Sequence, residues 1–172
     1  MRNIELKARL ANFTAAVKVC EDLHADYRGD IQQVDTYFRV AEGRFKMRAS
    51  DPGEDYLVYY RRPDVSGPKG CDYEIAVVDR AILPVLSSAL GVLTVVDKTR
   101  TLYLWENVRI HLDNVVGLGH FIEFEAVLSD PYDDNDGQRK LAFLQESFSI
   151  PSSSLIEHSY LDMMLKTGFS AP

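Results

Sequence analysis

Charged and apolar residues alternate in four separate stretches of the chain, and each stretch carries mostly one sign of charge. The stretches are residues 4–10, 44–49, 96–100 and 122–126. Because successive side chains of a strand point to opposite faces of a sheet, a period of two predicts β-strands whose charges share one face. We therefore expect a sheet with one apolar face and one polar face on which like charges are brought together.

The same periodicity predicts a mainly-β chain of the α+β class. We predict strands over residues 3–10, 35–40, 44–50, 56–62, 73–78, 92–96, 101–105, 108–113 and 121–128. Helical spacing of apolar residues predicts helices over 12–27, 79–90, 138–148 and 154–166. Many short strands with hairpin-length turns indicate a largely antiparallel sheet. A β-sandwich would explain the apolar face but not the segregated charges, so we favour a barrel with a polar interior and covering helices.

Composition narrows the class of protein. A chain of 172 residues is long enough for one domain, predicted over 1–172, with a substantial core. The net charge of −7 argues against nucleic acid and anionic membranes as partners. The chain has no run of 18 apolar residues, and its two cysteines, Cys20 and Cys71, do not make a disulfide framework. We therefore expect a cytoplasmic protein.

The basic residues of the strands form a candidate binding group. They are Lys7, Arg9, Arg44, Lys46, Arg48, Arg61, Lys98, Arg100 and Arg109. On separate solvated strands such residues would be ordinary surface charges. Gathered around one cavity they would repel each other unless an anion lay between them. A triphosphate would satisfy them through charge-assisted hydrogen bonds, so a polyphosphate ligand is the functional interpretation.

A smaller set of carboxylates accompanies these cations. It comprises Glu5, Asp113, Glu123 and Glu125. These residues could pair with neighbouring Lys and Arg on a sheet surface. Alternatively, because Glu123 and Glu125 lie two apart on one strand and share a face, they could bind Mg²⁺ or Mn²⁺, which take oxygen ligands. His111 has the polar parity of its strand, so we expect it to face the ligand.

Several short motifs together resemble the CYTH family, the triphosphate tunnel metalloenzymes. Residues 4–9, Ile-Glu-Leu-Lys-Ala-Arg, resemble the N-terminal E-x-E-x-K strand of that family. Further matches follow in family order at 35–38, 43–48, 60–63, 98–100, 109–113, 117–119, 121–125 and 159–162. The resemblance implies a closed eight-stranded antiparallel barrel that forms a tunnel, with flanking helices. One departure is Asn3, which stands where the family has its first glutamate and puts a second metal site in doubt.

The resemblance also implies roles for individual residues. Phosphate ligands would be Lys7, Arg9, Lys46, Arg48, Arg61, Lys98, Arg100 and Arg109, and metal ligands Glu5, Glu123 and Glu125, with Asp113 added from our carboxylate set. We expect Lys7, Lys98 and Arg100 of these sets, together with His111, to act in catalysis. Tyr37 and Tyr59, with His111, are our candidates for contacts with a base or ribose.

The family contains class IV adenylyl cyclases and triphosphatases, and both need a metal and cations around the phosphates. Residues 109–121 look closest to the cyclases, whereas the Glu-Phe-Glu of 123–125 is equally typical of the triphosphatases. We therefore expect conversion of ATP to cyclic AMP and pyrophosphate. The alternatives are hydrolysis of tripolyphosphate or thiamine triphosphate, and binding of polyphosphate or nucleotide without turnover. A homodimer is compatible with the pattern.

Overall fold

Eight antiparallel strands close into a barrel in the computed structural model, which describes residues 2–168. The strands are β1 (Arg2–Arg9), β2 (Asp26–Phe38), β3 (Arg44–Asp51), β4 (Asp55–Arg61), β5 (Lys69–Val78), β6 (Val92–Trp105), β7 (Val108–Val115) and β8 (Gly119–Val127). Their order around the barrel is β1-β5-β4-β3-β2-β6-β7-β8, and β8 pairs with β1 to close it. The predicted fold class and the closed eight-stranded barrel are confirmed.

Four helices flank the strands: α1 (Phe13–Asp22), α2 (Leu83–Leu90), α3 (Asp134–Ser147) and α4 (Tyr160–Thr167). Side-chain caps begin three of them, because the first amides of a helix lack partners within the helix. Asn12 accepts a hydrogen bond from the Ala15 amide at the start of α1, and Asp133 begins α3 in the same way. No helix within residues 2–168 is long and apolar enough to cross a membrane.

Several element boundaries differ from the prediction. The first helix ends at Asp22, because His24 adopts a left-handed backbone with φ 53°, and the chain enters β2 at residue 26 instead of 35. The strands predicted over 92–96 and 101–105 are one strand, β6, with Lys98 and Arg100 in its middle. A polar barrel interior accommodates such charges, which would interrupt a strand buried in an apolar core. The helix predicted over 154–166 begins only at residue 160.

The apolar face of the barrel points outward and lies under α1 and α3. Its residues on β1, β7 and β8 are Ile4, Leu6, Ala8, Ile110, Leu112, Ile122, Phe124 and Ala126. Residues of the two helices, among them Cys20, Leu141 and Leu144, pack against this face and are fully buried. Burying one large apolar side chain contributes about 1.5–3 kcal/mol. This packing fixes the strand phase, because a rotated strand would bury its charges under the helices.

Helix α4 fills one end of the barrel. Its buried residues form one cluster with inward-facing side chains: Tyr160, Leu161, Met163 and Met164 with Tyr37, Tyr60, Val96, Val115 and Phe121. Arg44 on β3 links α4 to the barrel, because its Nη2 donates a hydrogen bond to Asp162 Oδ2 at 2.8 Å. Asp162 and Ser159 also form the capping box that begins α4. The interior is therefore closed at this end by protein.

Candidate functional site

A cavity of about 420 Å³ lies inside the barrel. Every strand contributes to its lining through alternate residues, as the period of two requires. The cations of the lining are Lys7, Lys46, Arg48, Arg62, Arg100 and Arg109. The carboxylates of the lining are Glu5, Asp35, Glu123 and Glu125. Positive charge is therefore in excess in a cavity whose outer wall is apolar.

Asp35 on β2 is the centre of a buried charge network. Its carboxylate accepts hydrogen bonds from Lys46 Nζ at 2.8 Å, from Lys98 Nζ at 2.9 Å, and from Arg48 Nε and Nη2 at 2.7 and 2.8 Å. Burial opposes the charge on Asp35, but Arg48, Lys46 and Lys98 hold the pKa of Asp35 well below its usual range. Burial also lowers the pKa of Lys98 to about 7 and that of Lys46 to about 8. Two lysines of this network are therefore poised near neutral pH.

A second network orients Arg100 on β6. Its Nε and Nη2 both donate to Asp113 at 2.7 Å, and Nη2 also donates to Glu123 Oε2 at 3.1 Å. The Tyr160 hydroxyl donates to Asp113 Oδ2 at 2.8 Å, which joins α4 to the network. Burial opposes ionisation of Asp113, yet the Arg100 guanidinium lowers the pKa of Asp113 below its usual range. Asp113 is thus a fully buried partner of Arg100, and the structure does not bring it into the group of His111, Glu123 and Glu125 that could hold a metal; its role as a metal ligand stays a prediction.

The remaining carboxylates meet where β1, β8 and β7 lie side by side. In the strand register Glu5 lies opposite Glu125, and Lys7 and His111 lie on either side of Glu123. Lys7 Nζ donates to Glu123 at 2.6 Å, and His111 Nδ1 lies 3.4 Å from the other oxygen of that carboxylate. Burial and the charge of Glu123 raise the pKa of Glu5. Like charges are therefore held together here.

This cluster has the chemistry of a divalent-cation site. Ligand atoms of His111, Glu123 and Glu125 all lie within 4.8 Å of one another. Asn3 lies on the same inward face of β1 as Glu5, and its buried Oδ1 has no hydrogen-bond partner within residues 2–168. Carboxylate, carbonyl and imidazole groups are common ligands of divalent metals. The residues present therefore fit such an ion.

The end of the cavity opposite α4 has a different character. Its lining includes the half-buried apolar and aromatic side chains Ile31, Tyr56 and Leu102. Arg109 stands beside them with 44% of its side chain exposed. The cavity thus combines a charged inner part with an outer part suited to an uncharged, flat group.

Ten of the predicted site residues line the cavity: Glu5, Lys7, Tyr37, Lys46, Arg48, Arg100, Arg109, His111, Glu123 and Glu125. Lys98 points into the barrel but is fully buried behind the lining on Asp35. Arg9 extends β1 past the cavity and is exposed, with its Nη1 donating to the Leu118 carbonyl at 3.3 Å. Tyr37 lies deep in the cavity, where its hydroxyl accepts a hydrogen bond from Lys46 at 3.3 Å.

The predictions that Tyr59 and Arg61 face the cavity are wrong. Both side chains lie on the outer surface of β4, where Arg61 donates to the Tyr59 hydroxyl at 2.8 Å and to Glu42 at 3.1 Å. Their neighbours Tyr60 and Arg62 point inward instead. The phase of this strand is ambiguous in the sequence because apolar or aromatic residues occupy both of its faces.

Two charged residues of the cavity lining, Asp35 and Arg62, were not predicted as site residues. Asp35 shares its parity with Gln33 and Tyr37, so a longer predicted β2 would have placed it inside. Arg62 follows the last residue of β4 and donates from Nη1 to Glu5 at 2.7 Å, with its side chain only 2% exposed. No local signal distinguishes it from Arg61.

The CYTH domain model matches residues 1–160. The chain belongs to the CYTH family. Enzymes of this family are metal-dependent and bind triphosphate substrates, and the cations and carboxylates of the cavity match that chemistry. The resemblance read from the sequence motifs is thereby confirmed.

Known proteins similar to this CYTH chain include a Methanocaldococcus jannaschii protein named "Putative adenylate cyclase MJ0240", 23% identical, with 95% of this chain and 98% of that protein aligned. The solved PH1012 protein of Pyrococcus horikoshii superposes with a TM-score of 0.79 at 23% identity, covering 93% of this chain and 98% of the other. A Hippeastrum protein described as an adenylyl cyclase candidate with a dominant triphosphatase activity gives a TM-score of 0.65 at 17% identity, with coverage of 99% and 98%. At these identities the structural matches show a shared fold.

Proposed function

We propose that this CYTH protein is a divalent-metal-dependent enzyme acting on an organic triphosphate, and that it converts ATP to cyclic AMP and pyrophosphate. The observation that carries the proposal is that one closed-ended cavity brings cations from several strands together beside a group of carboxylates. Lys46, Arg48 and Arg100 project from β3 and β6, whereas Glu5 and Glu125 project from β1 and β8. A triphosphate with a bound cation complements both groups.

The cationic residues would hold the phosphates and stabilise the charge that develops on the leaving pyrophosphate. Their orientation is preset, because Asp35 holds Lys46 and Arg48 while Asp113 holds Arg100. Preorganised donors in a site that excludes water are worth more than the same donors in water. Glu5, Glu123 and Glu125 would hold the metal, which when bound supplies charge neutralisation at the phosphates.

The outer part of the cavity supports an organic substrate. Ile31, Tyr56 and Leu102 offer surface for a nucleobase, and an inorganic tripolyphosphate would leave this surface without contacts. In the cyclase reaction the ribose 3′ oxygen attacks the α-phosphorus, so the base and ribose must be held while the phosphates are fixed. Arg109 borders this region and would contact the phosphate nearest the ribose.

The second candidate is hydrolysis of a terminal phosphate from tripolyphosphate or thiamine triphosphate. Its supporting observation is Glu5, whose pKa burial raises, since such a carboxylate is a proton acceptor for an attacking water. The Hippeastrum protein with this fold has a dominant triphosphatase activity, which makes the same reaction a direct alternative here. We place either reaction in the cytoplasm, because the two buried cysteines are unpaired within residues 2–168.

Product analysis tests the proposal. The full chain is incubated with Mn²⁺ or Mg²⁺ and, in parallel, with ATP, tripolyphosphate and thiamine triphosphate, beside the matched variant Glu125→Gln. Cyclic AMP with pyrophosphate, lost in the variant, supports the cyclase. Release of orthophosphate from any of the three substrates, without cyclic AMP, refutes the cyclase and supports the triphosphatase. Tight binding by calorimetry without any product would show a binding protein and refute both enzymatic functions.

A further inference from the structure

We propose that His111 Nδ1 is a direct ligand of the bound cation together with Glu123 and Glu125, so that the centre prefers first-row transition ions such as Mn²⁺ to Mg²⁺. The inference rests on the proposed metal-dependent function and states which residues and which class of ion complete it. A centre of carboxylates alone would accept Mg²⁺ readily, whereas an imidazole ligand favours transition metals.

The geometry needs little rearrangement. His111 Nδ1 lies 3.4 Å from Glu123 Oε2 and 3.9 Å from Glu125 Oε1. Adjacent ligands of an octahedral ion with bonds of about 2.1 Å lie about 3 Å apart. Side-chain adjustments below ~1 Å would therefore bring the three groups into one coordination shell.

The surroundings of His111 allow its Nδ1 to bind a metal together with the two glutamates. His111 is 3% exposed, and within residues 2–168 the recorded partners of its Nδ1 are the two glutamates. Glu123 is also held by Lys7 and Arg100. Glu125 has a longer contact, 3.6 Å to Arg109. His111 and Glu125 thus have longer contacts than Glu123, which two cations hold closely.

Asn3 gives an independent observation in the same cavity. Its side chain is 4% exposed, and its Oδ1 accepts no hydrogen bond from any residue that the structure describes. Burial of an acceptor without a donor is unfavourable, because the hydrogen bonds that the oxygen made to water are lost. A cation or its bound water beside Glu5 and Glu125 would satisfy this oxygen. Asn3 is uncharged and therefore a weaker metal ligand than a carboxylate. The nitrogen of His111 adds a strong ligand to the oxygen atoms of Asn3, Glu123 and Glu125.

Electron paramagnetic resonance of Mn²⁺ bound to the full chain tests the assignment. The protein is first freed of metal with a chelator and then loaded with Mn²⁺, and the same protein labelled with ¹⁵N-histidine is the spectroscopic control. We expect pulsed spectra with a directly coordinated nitrogen that changes on labelling. His111→Gln should remove this coupling and weaken Mn²⁺ binding at least tenfold, while Mg²⁺ affinity, measured by competition, changes less than threefold. His120→Gln, at the exposed start of β8, is the matched variant and should alter neither.

Mn²⁺ bound by oxygen atoms alone in the wild-type protein would overturn this inference and leave the proposed function standing. A His111→Gln variant that keeps wild-type Mn²⁺ affinity would overturn it equally. If the wild-type protein binds no Mn²⁺, with or without tripolyphosphate, both the inference and the metal-dependent function fail. The wild-type spectrum decides the matter even where a variant does not fold.

Discussion

Replacing Asp35 by Asn is the most informative single change, because this one carboxylate holds three cations inside the barrel. Asp35 is 1% exposed and accepts hydrogen bonds from Lys46, Lys98 and Arg48. Asn keeps the size of the side chain but removes its charge. In the variant the three cations would lack their direct counterion, and only more distant carboxylates would offset their charge.

The magnitude follows from the burial of the network. Removing one partner of a buried ion pair typically costs about 3–5 kcal/mol, because the remaining charge stays desolvated. Part of this cost would be relieved by deprotonation of Lys98, whose pKa of about 7 the loss of Asp35 lowers further. For a domain of this size a loss of 1 kcal/mol lowers Tm by about 2–4 °C. We therefore expect Asp35→Asn to lower Tm by about 6–20 °C without ligand.

Calorimetric melting with and without tripolyphosphate measures the effect. Phosphate oxygens would replace the missing carboxylate, so saturating ligand should raise Tm more in the variant than in the wild-type protein. Asp30→Asn is the control, since Asp30 lies on the same strand, is exposed and contacts Thr101. The reasoning is refuted if Asp35→Asn melts like the control, or if ligand stabilises both variants equally.

Three further predictions concern the tunnel and its closed end. Arg62→Ala should weaken tripolyphosphate binding at least tenfold by calorimetry, while Arg61→Ala on the outer surface stays within twofold; equal effects would show that the phase of β4 is wrong. The affinity of the metal-free protein for tripolyphosphate should fall as pH rises from 7 to 9. Burial lowers the pKa of Lys98 to about 7 and that of Lys46 to about 8, so both amines lose their protons over this range and must take them up again when the phosphate binds. The fall is up to tenfold per pH unit for each proton taken up, and a flat profile would contradict it. Arg44→Ala should speed amide hydrogen exchange in α4 while leaving β1 and β8 unchanged, and unchanged exchange in α4 would show that this ion pair does not hold the helix.

A barrel with a polar interior, and most of its inward face, could be predicted from the alternation in β1, β3, β7 and β8, whereas its closure from eight strands is what the resemblance to the CYTH family implied. In β1, for example, Leu6 must lie under the helices and Lys7 must then point inward. Where both faces of a strand are aromatic or apolar, as in β4, the periodicity does not show which residues point into the barrel. Tyr59 and Tyr60 are then indistinguishable without the neighbouring strands.

Long-range charge pairing could not be predicted at all. Asp35 and Lys98 are far apart in sequence and meet only because β2 pairs with β6. The partners of Asp113 could not be predicted for the same reason, since Arg100 and Tyr160 come from β6 and α4. A carboxylate on the correct face is equally suited to a metal or to an arginine, and only the neighbours brought by the fold decide between them.

A diffraction structure of the full chain with a non-hydrolysable ATP analogue and Mn²⁺ tests the central claim most directly. It should show the triphosphate inside the barrel within hydrogen-bond distance of Lys46, Arg48 and Arg100, and an anomalous peak for the metal beside Glu125. Analogue and metal bound only on the outer surface, with the Asp35 and Glu123 ion pairs intact, would contradict the account.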